Sequence, residues 1–218
     1  ITPSVVVEDQ RFGKALAISD NGKVLAVGAS ATIGNPEDTA AYRFHFDGDQ
    51  WQENFRLAAP VPGSVLYSSQ FGSAIALSAD GNKMLVGAFE EDLIIDGERV
   101  ENAGAAYYIR FSNYQSGTVA ATNKFTSIYA EVGSRFGKSL GMDDTGNKIV
   151  ISAYLEDSNN NSSENICYDA LNTPCDAMNF LHNSSAGSVY LYSMHNDAVE
   201  TMTFLNASET KVFGYRVA

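Results

Sequence analysis

Five carboxylates stand out by position: Glu90, Glu91, Asp92, Glu156 and Asp157, each just after the alanine that closes a recurring stretch. Oxygens gathered in this way suit a hard cation such as Ca2+, or a polar ligand. The same grouping also serves a solvated loop whose charges keep the chain soluble. Both readings stand at this level. Four further acids, Asp20, Asp80, Asp143 and Asp144, lie in the short segments SDNGK, SADGNK and DDTGNK. These offer too few carboxylates for a cage that draws oxygens from about six positions, so they read as turn formers satisfying their own backbone.

Other chemistry is sparse. Cys167 and Cys175 sit close together in a polar stretch, which suits a short disulfide loop in an oxidising compartment or two unrelated thiols. Asn160, Asn161, Asn183 and Asn206 each open an N-x-S/T sequon, which marks a surface glycosylation site where the source glycosylates secreted proteins. His45, His182 and His195 form no pair at metal-ligand spacing, and no G-x-S-x-G, phosphate-cradling glycine loop or Cys-His signature occurs. Catalysis is thus the weaker expectation, with a carboxylate pair acting on glycans as its remaining form. Trp51, Tyr42, Tyr107, Tyr108 and Tyr190 would stack on sugars if exposed, but the three aligned residues Tyr42, Tyr107 and Tyr190 recur as core positions do.

The elements that position these residues come from an internal repeat. FGKALAISDNGKVLAVGA, FGSAIALSADGNKMLVGA and FGKSLGMDDTGNKIVISA, beginning at Phe12, Phe71 and Phe136, align without a gap. A glycine inside an Asp/Asn cluster divides each into two strands, predicting a β-hairpin. The first strand alternates a large face (Leu16/Ile18, Ile75/Leu77, Leu140/Met142) with a small one (Ala15/Ala17, Ala74/Ala76, Ser139/Gly141). The small face predicts close approach of another backbone. The second strands are nearly continuous apolar runs and should be buried on both sides. A third strand follows around each aligned Tyr, and a fourth near Trp51, Thr118 and Val199.

The Phe-Gly pairs at Phe12, Phe71, Phe136 and Phe213 are spaced by 59, 65 and 77 residues. Nearly all the growth lies between the second and third strands, where the distance from closing Ala to Tyr is 13, 19 and then 37 residues. That connection tolerates insertion, and in a meander all three such connections leave at one end. They carry Glu37 and Asp38, then EEDLIIDGERVE at 90–101, then LEDSNNNSSEN at 155–165.

Four-stranded units in meander order at this period resemble FG-GAP repeats, the blades of integrin α-subunit-like β-propellers, and more closely the shorter variants of bacterial and algal surface proteins. Phe-Gly, turn Gly, Gly-Ala and Gly-x-x-Tyr recur in order. Departures are Ser30, Phe89 and Tyr154 where the family often has Pro, Ser152 in place of Gly28 and Gly87, and Thr39 in place of Gly104 and Gly187. The resemblance implies an all-β propeller segment with repeats at 12–70, 71–135 and 136–212 and a fourth beginning at 213–218, part of a six- or seven-bladed ring. The remaining blades would come from the same longer chain or from other copies. It also implies recognition at the loop end, with Ca2+ as the family's usual cation.

Composition bounds the partners. With 218 residues, a net charge of −12, 44% hydrophobic residues and 18% charged, the chain is globular rather than disordered. It has no apolar run long enough to span a bilayer and no basic cluster to displace phosphate counterions, so neither membrane insertion nor nucleic-acid binding is expected. Starting at Ile1 rather than Met, the chain reads as processed or truncated. The function expected is extracellular or cell-surface binding and adhesion, with a protein or glycan partner. A carbohydrate-binding lectin and a structural subunit of an extracellular filament or coat are the alternatives.

Overall fold

The computed structural model describes residues 1–31, 38–60, 69–156, 167–168, 174–175 and 187–206. The first sheet holds β1 (Phe12–Ile18), β2 (Val24–Ala29), β3 (Ala40–Phe46) and β4 (Trp51–Ala58). The second begins with β5 (Phe71–Leu77) and β6 (Lys83–Ala88). A short ribbon of β7 (Leu93–Ile95) and β8 (Glu98–Val100) follows, and β9 (Ala105–Phe111) and β10 (Val119–Phe125) complete the sheet. The third holds β11 (Phe136–Met142) and β12 (Lys148–Ala153), then β15 (Ser188–His195) and β16 (Ala198–Asn206). A separate pair, β13 (Cys167–Tyr168) with β14 (Pro174–Cys175), falls between them in sequence. Each large sheet is an open, antiparallel, four-stranded meander, and none closes on itself. No α-helix occurs among the described residues, and so no helix long and apolar enough to cross a membrane.

Phe-Gly marks the same irregularity in every sheet. The register of the opening hairpin shifts just after Phe12, Phe71 and Phe136. The residue before each Phe, namely Arg11, Gln70 or Arg135, is left-handed at φ of 54°, 54° and 56°, and the following Gly13, Gly72 and Gly137 lie at 92°, 82° and 87°. A bulge with two left-handed residues bends the strand as it enters, and glycine carries the larger part of that cost. The hairpin turns are closed by their own polar side chains. Ser78 Oγ donates to Asp80 Oδ1 at 2.7 Å, which also accepts the Asn82 N–H, while Asp143 Oδ1 accepts the Lys148 N–H at 2.8 Å. Burial pushes Asp80 and Asp143 up, but these bonds outweigh it and hold both below the usual carboxylate range. Successive turns are joined as well: the Asp20 N–H donates to Ala79 O, and the Ala79 N–H to Asp144 O.

The alternation of large and small faces sets how the sheets pack. Ile75 and Leu77 pack into a core with Met84, Val86 and Tyr107, facing Ala17, Ala26 and Ala41 of the first sheet. Leu140 and Met142 pack likewise with Ile149, Ile151 and Tyr190 against Ala74, Ala76 and Ala106 of the second. The second and third sheets thus each lay their large face on the small face of the sheet before. Within the opening hairpins, close backbone approach falls on the second strand rather than on the alanines of the first: a Cβ at Gly28 would collide with the carbonyl of Gly72, and one at Gly87 with that of Gly137. The Gly-Ala of one repeat therefore meets the Phe-Gly of the next.

Candidate functional site

The connection between the second and third strands begins identically in two sheets. After Ala88 and Ala153 the chain turns, with the Glu91 N–H donating to Ala88 O at 3.0 Å and the Glu156 N–H to Ala153 O at 3.2 Å. The carbonyls of the same two glutamates accept the N–H groups of Gly104 and Gly187, the glycines that open the third strands. The side chains repeat the link. Tyr107 Oη donates to the Glu91 carboxylate at 2.8 and 2.9 Å, and Tyr190 Oη to Glu156 Oε2 at 2.7 Å. One glutamate, by backbone and side chain together, clasps both ends of the insertion whatever its length.

The two clasps differ in charge. Glu91 is buried and paired with Lys124 Nζ at 2.7 Å; burial raises its pKa, opposed by Lys124 and Tyr107. Glu156 is fully buried with hydrogen bonds from Ser127 Oγ and Tyr190, but no cation pairs with it among the described residues. Burial outweighs those bonds and its pKa rises too. Without a counter-charge, burial disfavours the charged form of this carboxylate. In the first sheet Tyr42 Oη is met instead by Gln10 Nε2 at 2.7 Å and Arg56 Nε at 3.3 Å, and it donates to Val5 O.

Of the five expected ligand residues, Glu91 and Glu156 therefore hold tyrosines. Asp92 bonds Arg99 Nε and Nη2 at 3.0 and 2.5 Å and accepts the Asn102 N–H at 2.8 Å, closing the base of the β7–β8 ribbon. Glu90 lies 4.0 Å from Arg135 Nη2. Asp157 lies outside the described residues, as do Asn160, Asn161 and Asn183. Cys167 and Cys175 are register partners across β13 and β14, and the Asn206 backbone stands opposite Ser188; the side chains of these three lie outside those described. Among the described residues no three His, Cys, Asp or Glu side chains gather where they would hold a metal. Asp80 and Asp143 are bonded within their own turns, where Asn21 takes the equivalent part in the first sheet, and Glu91, Asp92 and Glu156 are engaged as above, so these residues do not gather into a Ca2+ cage.

The segment at 90–101, expected as a loop, contains an ordered ribbon. Leu93, Ile94 and Ile95 pair with Val100, Arg99 and Glu98, leaving Asp96-Gly97 as a two-residue turn with φ of 53° and 87°. Two positive φ values define the turn that matches strand twist, and Asp-Gly between apolar residues is its sequence signal. Leu93 is buried at the base while Ile94, 62% exposed, and Ile95 project beside Asp96 and Glu98. Comparison with protein-family models and with curated proteins finds no match for the chain.

Proposed function

We propose that the chain is an extracellular binding or adhesion module, a segment of an integrin-like β-propeller, which engages its partner with the end from which the second-to-third strand connections project. In this proposal the three sheets are blades and the FG-GAP resemblance reflects a shared architecture. The observation that carries it is the β7–β8 ribbon, a clamped projection that presents Ile94 and Ile95 to solvent among Asp96 and Glu98. Exposed isoleucines on an ordered tip lose apolar hydration on contact without a large ordering cost, since Asp92 already holds the base. The fitting partner is a protein surface with an apolar spot ringed by Lys or Arg. Fluorescently labelled protein applied to cells or matrix of the source, compared with an Ile94→Ser/Ile95→Ser variant, tests this. Saturable binding that falls by roughly tenfold or more in the variant, with unchanged circular dichroism, is expected. Equal binding by both, or binding by neither, rejects the ribbon as the contact.

A further inference from the structure

At the end of the sheets opposite the ribbon, a cleft of about 520 Å3 opens between the second and third sheets. Its walls come from Lys83 at the start of β6, Tyr108 and Arg110 of β9, Asn147, and Met194–Asp197 at the β15–β16 turn. The repeat supplies its own control, because the gap between the first and second sheets is filled. There the residue one beyond the aligned Tyr is Arg43, fully buried over the Phe111 ring at 4.3 Å, its Nη2 donating to Gly81 O and Tyr114 O at 2.9 Å each and its Nη1 to Asn54 Oδ1 at 3.1 Å. The corresponding residue in the second sheet is Tyr108, which lines the open cleft instead of bridging it.

The cleft is also underused. Tyr108 is 1% exposed, yet its hydroxyl has no hydrogen-bond partner among the described residues. Arg110 spends Nε on Asp197 Oδ1 at 2.5 Å, and its two terminal nitrogens take no partner among those residues. Lys83 Nζ donates to two neutral oxygens, Thr145 O at 2.7 Å and Asn147 Oδ1 at 2.6 Å, and pairs with no carboxylate among the described residues. In a chain of net charge −12, this cleft holds two cations against the single carboxylate of Asp197.

We propose that the cleft binds an acidic monosaccharide unit, a hexuronate. The guanidinium edge of Arg110 offers paired donors for a sugar carboxylate, and Lys83, whose ammonium group is hydrogen-bonded to neutral oxygens, adds a second positive charge to the cleft. The Tyr108 hydroxyl, His195, Asn147 and Asn196 supply donors and acceptors for ring hydroxyls. The volume falls within the range of sites for small ligands. This site is independent of the ribbon and stands whether or not the ribbon binds.

The test is a titration of the full chain with D-glucuronate, D-glucose and acetate, followed by amide chemical shifts. Glucuronate is expected to shift amides around Asn147 and Met194–Asp197 at concentrations where neither control does. Arg110→Gln, on the cleft rim, should weaken it roughly tenfold, and Tyr108→Arg, which rebuilds the neighbouring plug, should abolish it. Equal binding of glucose removes the carboxylate from the argument, and equal binding of acetate removes the sugar. Glucuronate binding undiminished in Arg110→Gln overturns the assignment even if Tyr108→Arg does not fold. A tri-uronate that binds at least as well as the monomer assigns a polymer end as the source, and weaker binding assigns the free acid.

Discussion

Glu91 and Glu156 make the same clasp in two different charge environments. Glu91 keeps Lys124 as counter-ion, whereas Glu156 has only hydroxyl donors and is fully buried. Because its folded pKa lies above the ordinary 4.5, the folded state holds the Glu156 proton more tightly than the unfolded chain does. Its contribution to stability is therefore complete below about that pH and is lost as pH rises through the folded value. Glu156→Gln, which keeps the shape without the charge, should melt higher than wild type at pH 8, with the difference vanishing near pH 4. Thermal denaturation across that range checks it, and a wild type that gains on the variant with rising pH would reverse the assignment.

At the scale of elements, the clasp explains why the insertion after the second strand varies freely. The backbone link from Glu91 to Gly104 and the side-chain link from Tyr107 to Glu91 both lie outside the ribbon, so its length does not strain them. Lengthening a loop whose ends are already tied adds only slowly to the entropy of closure. Replacing residues 94–98 with Gly-Gly, which keeps Leu93 and the Arg99–Asp92 pair, should therefore change unfolding free energy by less than about 1 kcal/mol. Tyr107→Phe, a far smaller change, leaves a buried carboxylate short of its donor and should cost about 1–3 kcal/mol. Urea denaturation of the two variants decides between them, and a ribbon deletion costing more than Tyr107→Phe would show that the ribbon, not the clasp, holds the turn.

For the whole molecule, one face lacks what its counterparts have. Ile75/Leu77 and Leu140/Met142 are covered by the small face of a preceding sheet, but Leu16 and Ile18 at the matching positions of the first sheet are 63% and 59% exposed. Covering such side chains contributes about 1.5–3 kcal/mol each. If a second copy supplies the cover, light scattering should show self-association that grows with concentration. It should strengthen with salt, which screens the −12 charge, and disappear in Leu16→Ser/Ile18→Ser. A wild type that stays monomeric at high concentration excludes the second copy as the covering partner.

The strand boundaries, the hairpins and the assignment of large and small faces were legible in the residues themselves, because alternation and turn chemistry act between near neighbours in the chain. Phe-Gly, the turn Asp and Asn residues and the alanine face each carry their structural instruction locally. The β7–β8 ribbon was legible too, in Asp96-Gly97, but its acidic surroundings suggested a loop. The fate of the acids was not legible. Glu91 and Glu90 are adjacent and chemically alike, yet one is buried against Tyr107 and Lys124 while the other stands near Arg135. The same holds for Arg43 and Tyr108, equivalent by repeat position, one filling its gap and the other leaving a cleft. Composition and spacing determined that this chain builds repeated four-stranded sheets. Only the packing of one sheet on the next decided which polar groups are consumed in holding them together and which line a cleft, since that depends on residues far apart in sequence meeting in space.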